Sequence, residues 1–587
     1  MAAVHRAAVV AAAEGAAGES RASNFIYSFV LLVFAGCSPS AEPDNGVGAD
    51  RVFLNGAVYT VDEARSWAEA VAVTDGRIVY VGDNEGATRY IADETEIIDL
   101  AGQMLLPGFH DAHVHILTGV MADDECNLLR IPTAEEVAMK LRGCTELAGI
   151  GDEGWITGGG WGEWLWPDAN PQKGLLDLLF PNQPVYLDSS FGHAAWVNSK
   201  ALEIAGIDAD TRNPEAGIIE HDRETGEPSG TLRESAMMLV KKFIPPMTLE
   251  QRSNRVRAGV EYAHSFGITA VIEPGLDGDA LEPILNLADT SGLDIQAVTS
   301  LSPISWNAGT FDDGVYEFLA GRERWRRANI DVDSVKIYMD GVIEYGTSPL
   351  LEPYEDEKYG SGEYFYEQDD VNRYFQRFDA AGLQVHVHAI GDAAIRRALN
   401  GFKAMREANG MSDNRHQIVH LQLIHPDDRP RFGELNVGAV FQSLWAYPDP
   451  AAMELDVPML GKDRTWQMYP LKSLQDAGGR LVGGSDFWVT DLNPLLAIET
   501  AITRQDPWTN EGDVLNADER VDLATMIAAY TINGAYQMKR DAVQGSIEPG
   551  KRADLVVLDR NLFEIPASEI SDAKVTMTIF DGRTVYE

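Results

Sequence analysis

Between about residues 107 and 535 the chain alternates two kinds of apolar pattern, and few folds accept that alternation. One kind is short and strand-like: "WITGGG", "PVYLDSS", "ITAVIEPG", "SVKIYMDG", "LQVHVHAIGD", "HQIVHLQLI" and "RLVGGSDFWV". The other has helical spacing, as in "EEVAMKLRGCTELAG" and "DDVNRYFQRFDAAG". Strand followed by helix, repeated, predicts a parallel sheet, because each helix returns the chain to the start of the next strand. The number of repeats and the length favour a (β/α)8 TIM barrel with insertions over an open sheet.

The two ends read differently. "RVFLNGAVYTVD", "AEAVAVTDGRIVYVGD" and "TEIIDLAGQMLLPG" alternate with period two around NG and DGR turns, which marks antiparallel β structure. Near the C-terminus "GSIEPGKRADLVVLDRN" and "VTMTIFDGRTVYE" repeat that style. Residues 51–106 and 536–587 are therefore expected to form one small β-sandwich, with the barrel of residues 107–535 inserted between its halves. A chain of 587 residues is long enough for both.

Before residue 51 lies "NFIYSFVLLVFAGC", whose apolar stretch from Phe25 to Cys37 is shorter than the roughly 20 residues a bilayer span needs. It fits the apolar core of a signal peptide over residues 1–37. The run Phe34-Ala35-Gly36-Cys37 resembles a bacterial lipobox, which implies cleavage before Cys37 and a diacylglyceryl group on its sulfur. Residues 38–50 are then a polar tether, and the mature protein is expected in the periplasm or at the cell surface. A plain secretory signal is the alternative. In an oxidising compartment Cys126 and Cys144 form either one disulfide or two buried thiols. Asp and Glu outnumber Lys and Arg by 91 to 47, for a net charge of −44. Such a surface repels nucleic acid and anionic head groups, so membrane contact is expected only through a lipid anchor.

Titratable residues fall at the C-terminal ends of the presumed strands, where barrel sites are built. In "LPGFHDAHVHI" Asp111, His113 and His115 share one face, because side chains alternate along a strand. Lys336 lies opposite Val335 and Ile337, His386 and His388 share a face, His420 is flanked by apolar residues, and Asp486 follows two glycines. Singly, each has an ordinary explanation: a satisfied core histidine, a helix cap, or a lysine reaching outward. Burying all of them together is costly without a cation, and a divalent metal removes that cost.

The motifs "LPGFHDAHVH", "GHAAWVNSKALEIAGI", "PSGTLRE", "VKIYMDGVIE", "HVHAIGDAAI", "IVHLQLI", "GGSDFWV" and "GSIEPGKRADLVVLD" together resemble the amidohydrolase superfamily. The likeness is to amidohydrolase family 3, the branch that includes N-substituted formamide deformylases. It implies a distorted (β/α)8 barrel carrying a sandwich from both termini. It also implies one or two zinc ions held by His113, His115, His388, His420 and Asp486. Lys336 matches a lysine that CO₂ carboxylates in many relatives and that then bridges two metals. Asp486 is implied as general base and acid for hydrolysis of a non-peptide C–N bond in a small-molecule amide, by water whose pKa the metal lowers. His386 is left as a core residue or a support for the ligands.

His193 in "FGHAAWVNS" matches a family motif and is expected near the substrate or its carbonyl. Trp161 and Trp164 in "GGGWGEWLWPD" form either an aromatic substrate wall or a packed lid core. Arg233 either binds a carboxylate or is structural. The same metal site acting on an ester, a lactone or another C–N bond stays open, as do a non-catalytic metal-binding surface lipoprotein and homo-oligomerisation.

Overall fold

The computed structural model describes residues 48–587 apart from 120–125, 130, 145–153, 191, 193, 215–216 and 303–312. The expected signal peptide, the lipobox-like run and most of the expected tether lie outside the described residues, and so does His193.

Eight parallel strands stand side by side in chain order. They are β1 (Phe109–Asp111), β2 (Ile268–Leu276), β3 (Gln296–Leu301), β4 (Ile330–Tyr338), β5 (Gln384–Ala389), β6 (Gln417–His420), β7 (Gly438–Phe441) and β8 (Arg480–Gly483). Beyond the ends of β8 and β1, the Ala112 N–H donates to Gly483 O at 3.0 Å and the Asp486 N–H to His113 O at 2.8 Å. These bonds bring the last strand to the first and nearly close the barrel. Glycine eases the approach: a Cβ on Gly484 would lie 3.1 Å from the His113 nitrogen, a tight contact.

The sequence runs named above omit β3, "QAVTSL", and β7, "GAVF". Both are buried at every position, so neither shows the alternation that marks a half-exposed strand.

Two other runs are placed differently from expectation. "WITGGG" and "PVYLDSS" are not barrel strands. They belong to a separate six-stranded sheet built from residues 126–234 and inserted between β1 and β2. Strand Val185–Ser189 there pairs antiparallel with Ala194–Val197, a return that a barrel crossover does not make. This sheet has its own apolar core, including Leu128, Val137, Leu141, Trp161, Phe180 and Trp196. Cys126 and Cys144 are disulfide-bonded with Cα atoms 5.4 Å apart, which fastens strand Cys126–Asn127 to helix Ala134–Cys144.

The sandwich draws on both ends of the chain. Its six-stranded sheet takes Ala57–Tyr59, Trp67–Ala68 and Met104–Pro107 from one end, and Leu555–Leu558, Val575–Phe580 and Arg583–Tyr586 from the other. The join is antiparallel, with Leu555 opposite Pro107 and Leu558 opposite Met104. A four-stranded sheet from residues 51–99 packs against it, and Phe53, Val71, Leu105, Leu555, Val557 and Ile579 fill the space between.

Candidate metal centre

The C-terminal ends of β1, β6 and β8 converge on one buried point. Ligand-capable atoms of His113, His420 and Asp486 all lie within 4.8 Å of one another. Asp486 Oδ1 is 3.2 Å from His113 Nε2 and 3.4 Å from His115 Nε2, and its Oδ2 is 4.0 Å from His420 Nδ1. The His388 and His420 rings pack with centroids 4.4 Å apart, which brings β5 to the same cluster. His420 and Asp486 both hold left-handed backbone, at φ 82° and 56°. Non-glycine residues adopt that conformation at a cost, and such residues gather at functional sites.

The electrostatics suit a cation. Burial above all, with the nearby charge of Lys336, His388 or both, holds His113 and His420 well below 6.5. Their imidazoles are neutral, as metal ligation requires. Burial pushes Asp486 up, but a hydrogen bond from His115 and the charges of His420, His115 and Lys336 hold it below the usual carboxylate value. Neutral imidazole nitrogens around an ionised carboxylate, with solvent excluded, fit a divalent metal of the zinc class.

Lys336 is 2% exposed and points into the barrel, its Nζ 4.8 Å from the centre of the Tyr338 ring. Burial lowers its pKa to about 7, against the pull of Asp486. Among the described residues no carboxylate pairs with Nζ within 4.0 Å. Lys336 stands directly opposite His386 in the register of β4 and β5. His386 is fully buried and its Nε2 lies 2.7 Å from His113 Nδ1, while its Nδ1 meets the Gln417 amide at 2.9 Å. It therefore supports the back of a candidate ligand.

Three groups support the candidate ligands, and of these sequence reading singles out Asp111 alone. Gln442 Oε1 lies 3.0 Å from His420 Nδ1. Asp340 accepts the Ile390 and Gly391 N–H groups and approaches His388 Nε2 at 3.4 Å. Asp111 accepts the His113 and Ser485 N–H groups. Burial pushes Asp340 and Asp111 each up to about 7.

The expected substrate residues divide. Trp161 is fully buried against Trp196, and its Nε1–H donates to Leu187 O at 2.9 Å. That places it in the core of the inserted sheet and corrects the aromatic-wall alternative at this position. Trp164 is 49% exposed. Arg233 donates to Glu220 Oε1 at 2.7 Å and to the carbonyls of Asp168 and Ala169. These partners lie within the inserted sheet and fit the structural one of the two alternatives.

Comparison with known proteins agrees with this architecture. The amidohydrolase family pattern matches residues 96–586. Protein LONG AFTER FAR-RED 3 of Arabidopsis thaliana is 29% identical over 554 residues, covering 93% of each chain. An N-substituted formamide deformylase of Arthrobacter pascens is 28% identical over 562 residues, covering 92% of this chain and 98% of that one. The crystal structure of an uncharacterized metal-dependent hydrolase from Pyrococcus furiosus superposes with a TM-score of 0.68 at 25% identity, over 87% of this chain and 99% of that one.

Proposed function

This chain belongs to the amidohydrolase family, and on that premise we propose that it hydrolyses the C–N bond of a small-molecule amide with zinc held by His113, His115, His388, His420 and Asp486. The observation that carries the reading is the buried group His113, His420 and Asp486, its ligand atoms within 4.8 Å. When bound, the metal supplies a Lewis acid that polarises the scissile carbonyl and acidifies water.

The chain's own residues supply the rest. Asp486 stays ionised in a buried setting, so it accepts a proton from the attacking water and returns it to the leaving nitrogen. Gln442 and His386 fix the ring orientations of His420 and His113, as groups behind metal ligands do. Lys336, buried and poised near neutrality, is suited to react with CO₂ as a free amine and become an anionic oxygen ligand. The Cys126–Cys144 bond supports export, with Cys37 as the lipid-bearing residue.

A panel of N-formyl and N-acyl amines, esters and lactones tests the function. Amide turnover is expected, lost on chelation and restored by zinc. Turnover of esters alone changes the bond assigned. Zinc binding without turnover of any of them leaves a binding protein.

A further inference from the structure

A second polar cluster lies at the same end of the barrel and takes no part in the chemistry above. Glu344 is in the turn Ile343–Tyr345 beyond β4. Gln422 lies two residues past His420, beyond β6. Helix Pro450–Leu460, which carries Asp456, and Tyr469 both follow β7. The Gln422 amide joins them: Nε2–H donates to the Tyr469 hydroxyl at 3.0 Å, and the side chain also hydrogen-bonds Glu344. The Tyr469 N–H donates to Gln422 O at 2.8 Å, which ties the backbone of the two loops.

The cluster is rich in acceptors and short of donors. Asp456 is 1% exposed and Gln422 is 5% exposed, yet Asp456 Oδ1 and Gln422 Oε1 are both without a hydrogen-bond partner. Among the described residues no lysine or arginine donates to Glu344, Asp456 or Gln422. The two flanking arginines are committed elsewhere: Arg504 to the carbonyls of Leu515, Tyr469 and Met468, and Arg464 to those of Leu460 and Glu352. Burial, and after it the charge of Glu344, pushes Asp456 up to about 9. A buried carboxylate left without a donor is costly, and it is met by a proton or by a cation with N–H groups. Gln422 and His420 leave the same strand, so the cluster and the candidate metal centre share one chain segment.

We propose that Glu344, Asp456 and Gln422 form a subsite for a protonated amine carried by the substrate, so that the preferred amide is an N-acyl compound with a second, cationic nitrogen. The substrate assignment rests on the amide-hydrolase reading above; the binding site does not.

Calorimetric titration of the metal-loaded protein with butylammonium, and with 1-butanol as its neutral counterpart, reads the subsite directly. Saturable binding of butylammonium but not butanol is expected, weakened about tenfold or more in Asp456→Asn and in Glu344→Gln. Equal binding of the two probes, or unaltered binding in a folded variant, overturns the proposal. So does saturable potassium binding with none for butylammonium. The wild-type comparison decides even where one variant fails to fold. In turnover, N-formyl aminobutylamine is expected to exceed N-formyl butylamine about tenfold in kcat/KM, a ratio that falls toward one in either variant. Equal kcat/KM for the two amides in the wild type overturns the substrate assignment. Butylammonium binding with no amide cleaved leaves the subsite standing and removes the hydrolase reading instead.

Discussion

Asp111 Oδ1 accepts the Ser485 backbone N–H at 3.0 Å, so a carboxylate from the first barrel strand holds the loop that leaves the last one. The same oxygen accepts the His113 N–H at 3.1 Å. One side chain thus spaces two candidate ligand segments, those of His113 and Asp486.

Replacing that brace has a predictable effect. Asp111→Ala leaves buried N–H groups without acceptors, at a cost of about 1–3 kcal/mol. Zinc affinity is expected to drop about 10–100-fold, as for other groups behind metal ligands. Denaturant unfolding and chelator competition measure the two effects. A variant that keeps both stability and affinity rules the brace out.

The proposed bridging role of Lys336 predicts the metal count. Protein prepared with zinc and bicarbonate is expected to carry two metals per chain, falling to one or none in Lys336→Ala with activity lost. An intact mass raised by carbon dioxide on Lys336 would accompany this. One metal in both proteins, with activity retained, removes the bridging role.

Acid is expected to loosen the barrel through His416, which lies away from the centre. Its Nδ1 accepts the Val385 N–H at 3.0 Å and its Nε2–H donates to Asp379 Oδ1 at 3.1 Å. Burial lowers its pKa to about 4, although Asp379 pulls the other way. The unfolded imidazole takes its proton near 6.5, so this contribution is complete above that pH and is lost as pH falls toward 4. The loss approaches about 3 kcal/mol. Thermal midpoints across pH 4–8 should drop over that window, and less steeply in His416→Gln. An equal slope in the variant discards His416 as the cause.

The cysteines give a test of compartment. Exported protein should yield a linked Cys126–Cys144 peptide and incorporate labelled palmitate, the label disappearing in Cys37→Ala. Reduction of a disulfide closing a loop of this length costs about 3 kcal/mol and should lower the thermal midpoint. Freely alkylated thiols in the exported protein, or no palmitate, defeat the respective claim.

The barrel was readable where strands carried β-branched residues and ended in histidine, lysine or aspartate, as at β4, β5, β6 and β8. It was not readable at β3 and β7, whose full burial removes any alternation. "WITGGG" misled because strand–helix order does not say which sheet a strand joins; that follows from partners distant in sequence, such as Leu187 opposite Trp196. For the same reason Gln442 and Asp340 carried no signal. Each matters only through a neighbour that cross-strand packing brings near. His386 was ambiguous because His388 shares its face, and the 2.7 Å approach to His113 is a property of the closed barrel alone.

The pairing of Met104–Pro107 with Leu555–Leu558 has a consequence for how the protein is made. At roughly 5–20 residues per second, the earlier strand waits on the order of half a minute or more for its partner to leave the ribosome. During that wait it is an open, wholly apolar edge of the kind that recruits other chains. Holding the chain extended until it is complete, as passage through an export channel does, shields that edge. A stop codon near residue 550 would spare every histidine, lysine and aspartate discussed here and still leave a sticky, half-built sheet. Such truncated molecules are expected in inclusion bodies, with no enzyme to assay.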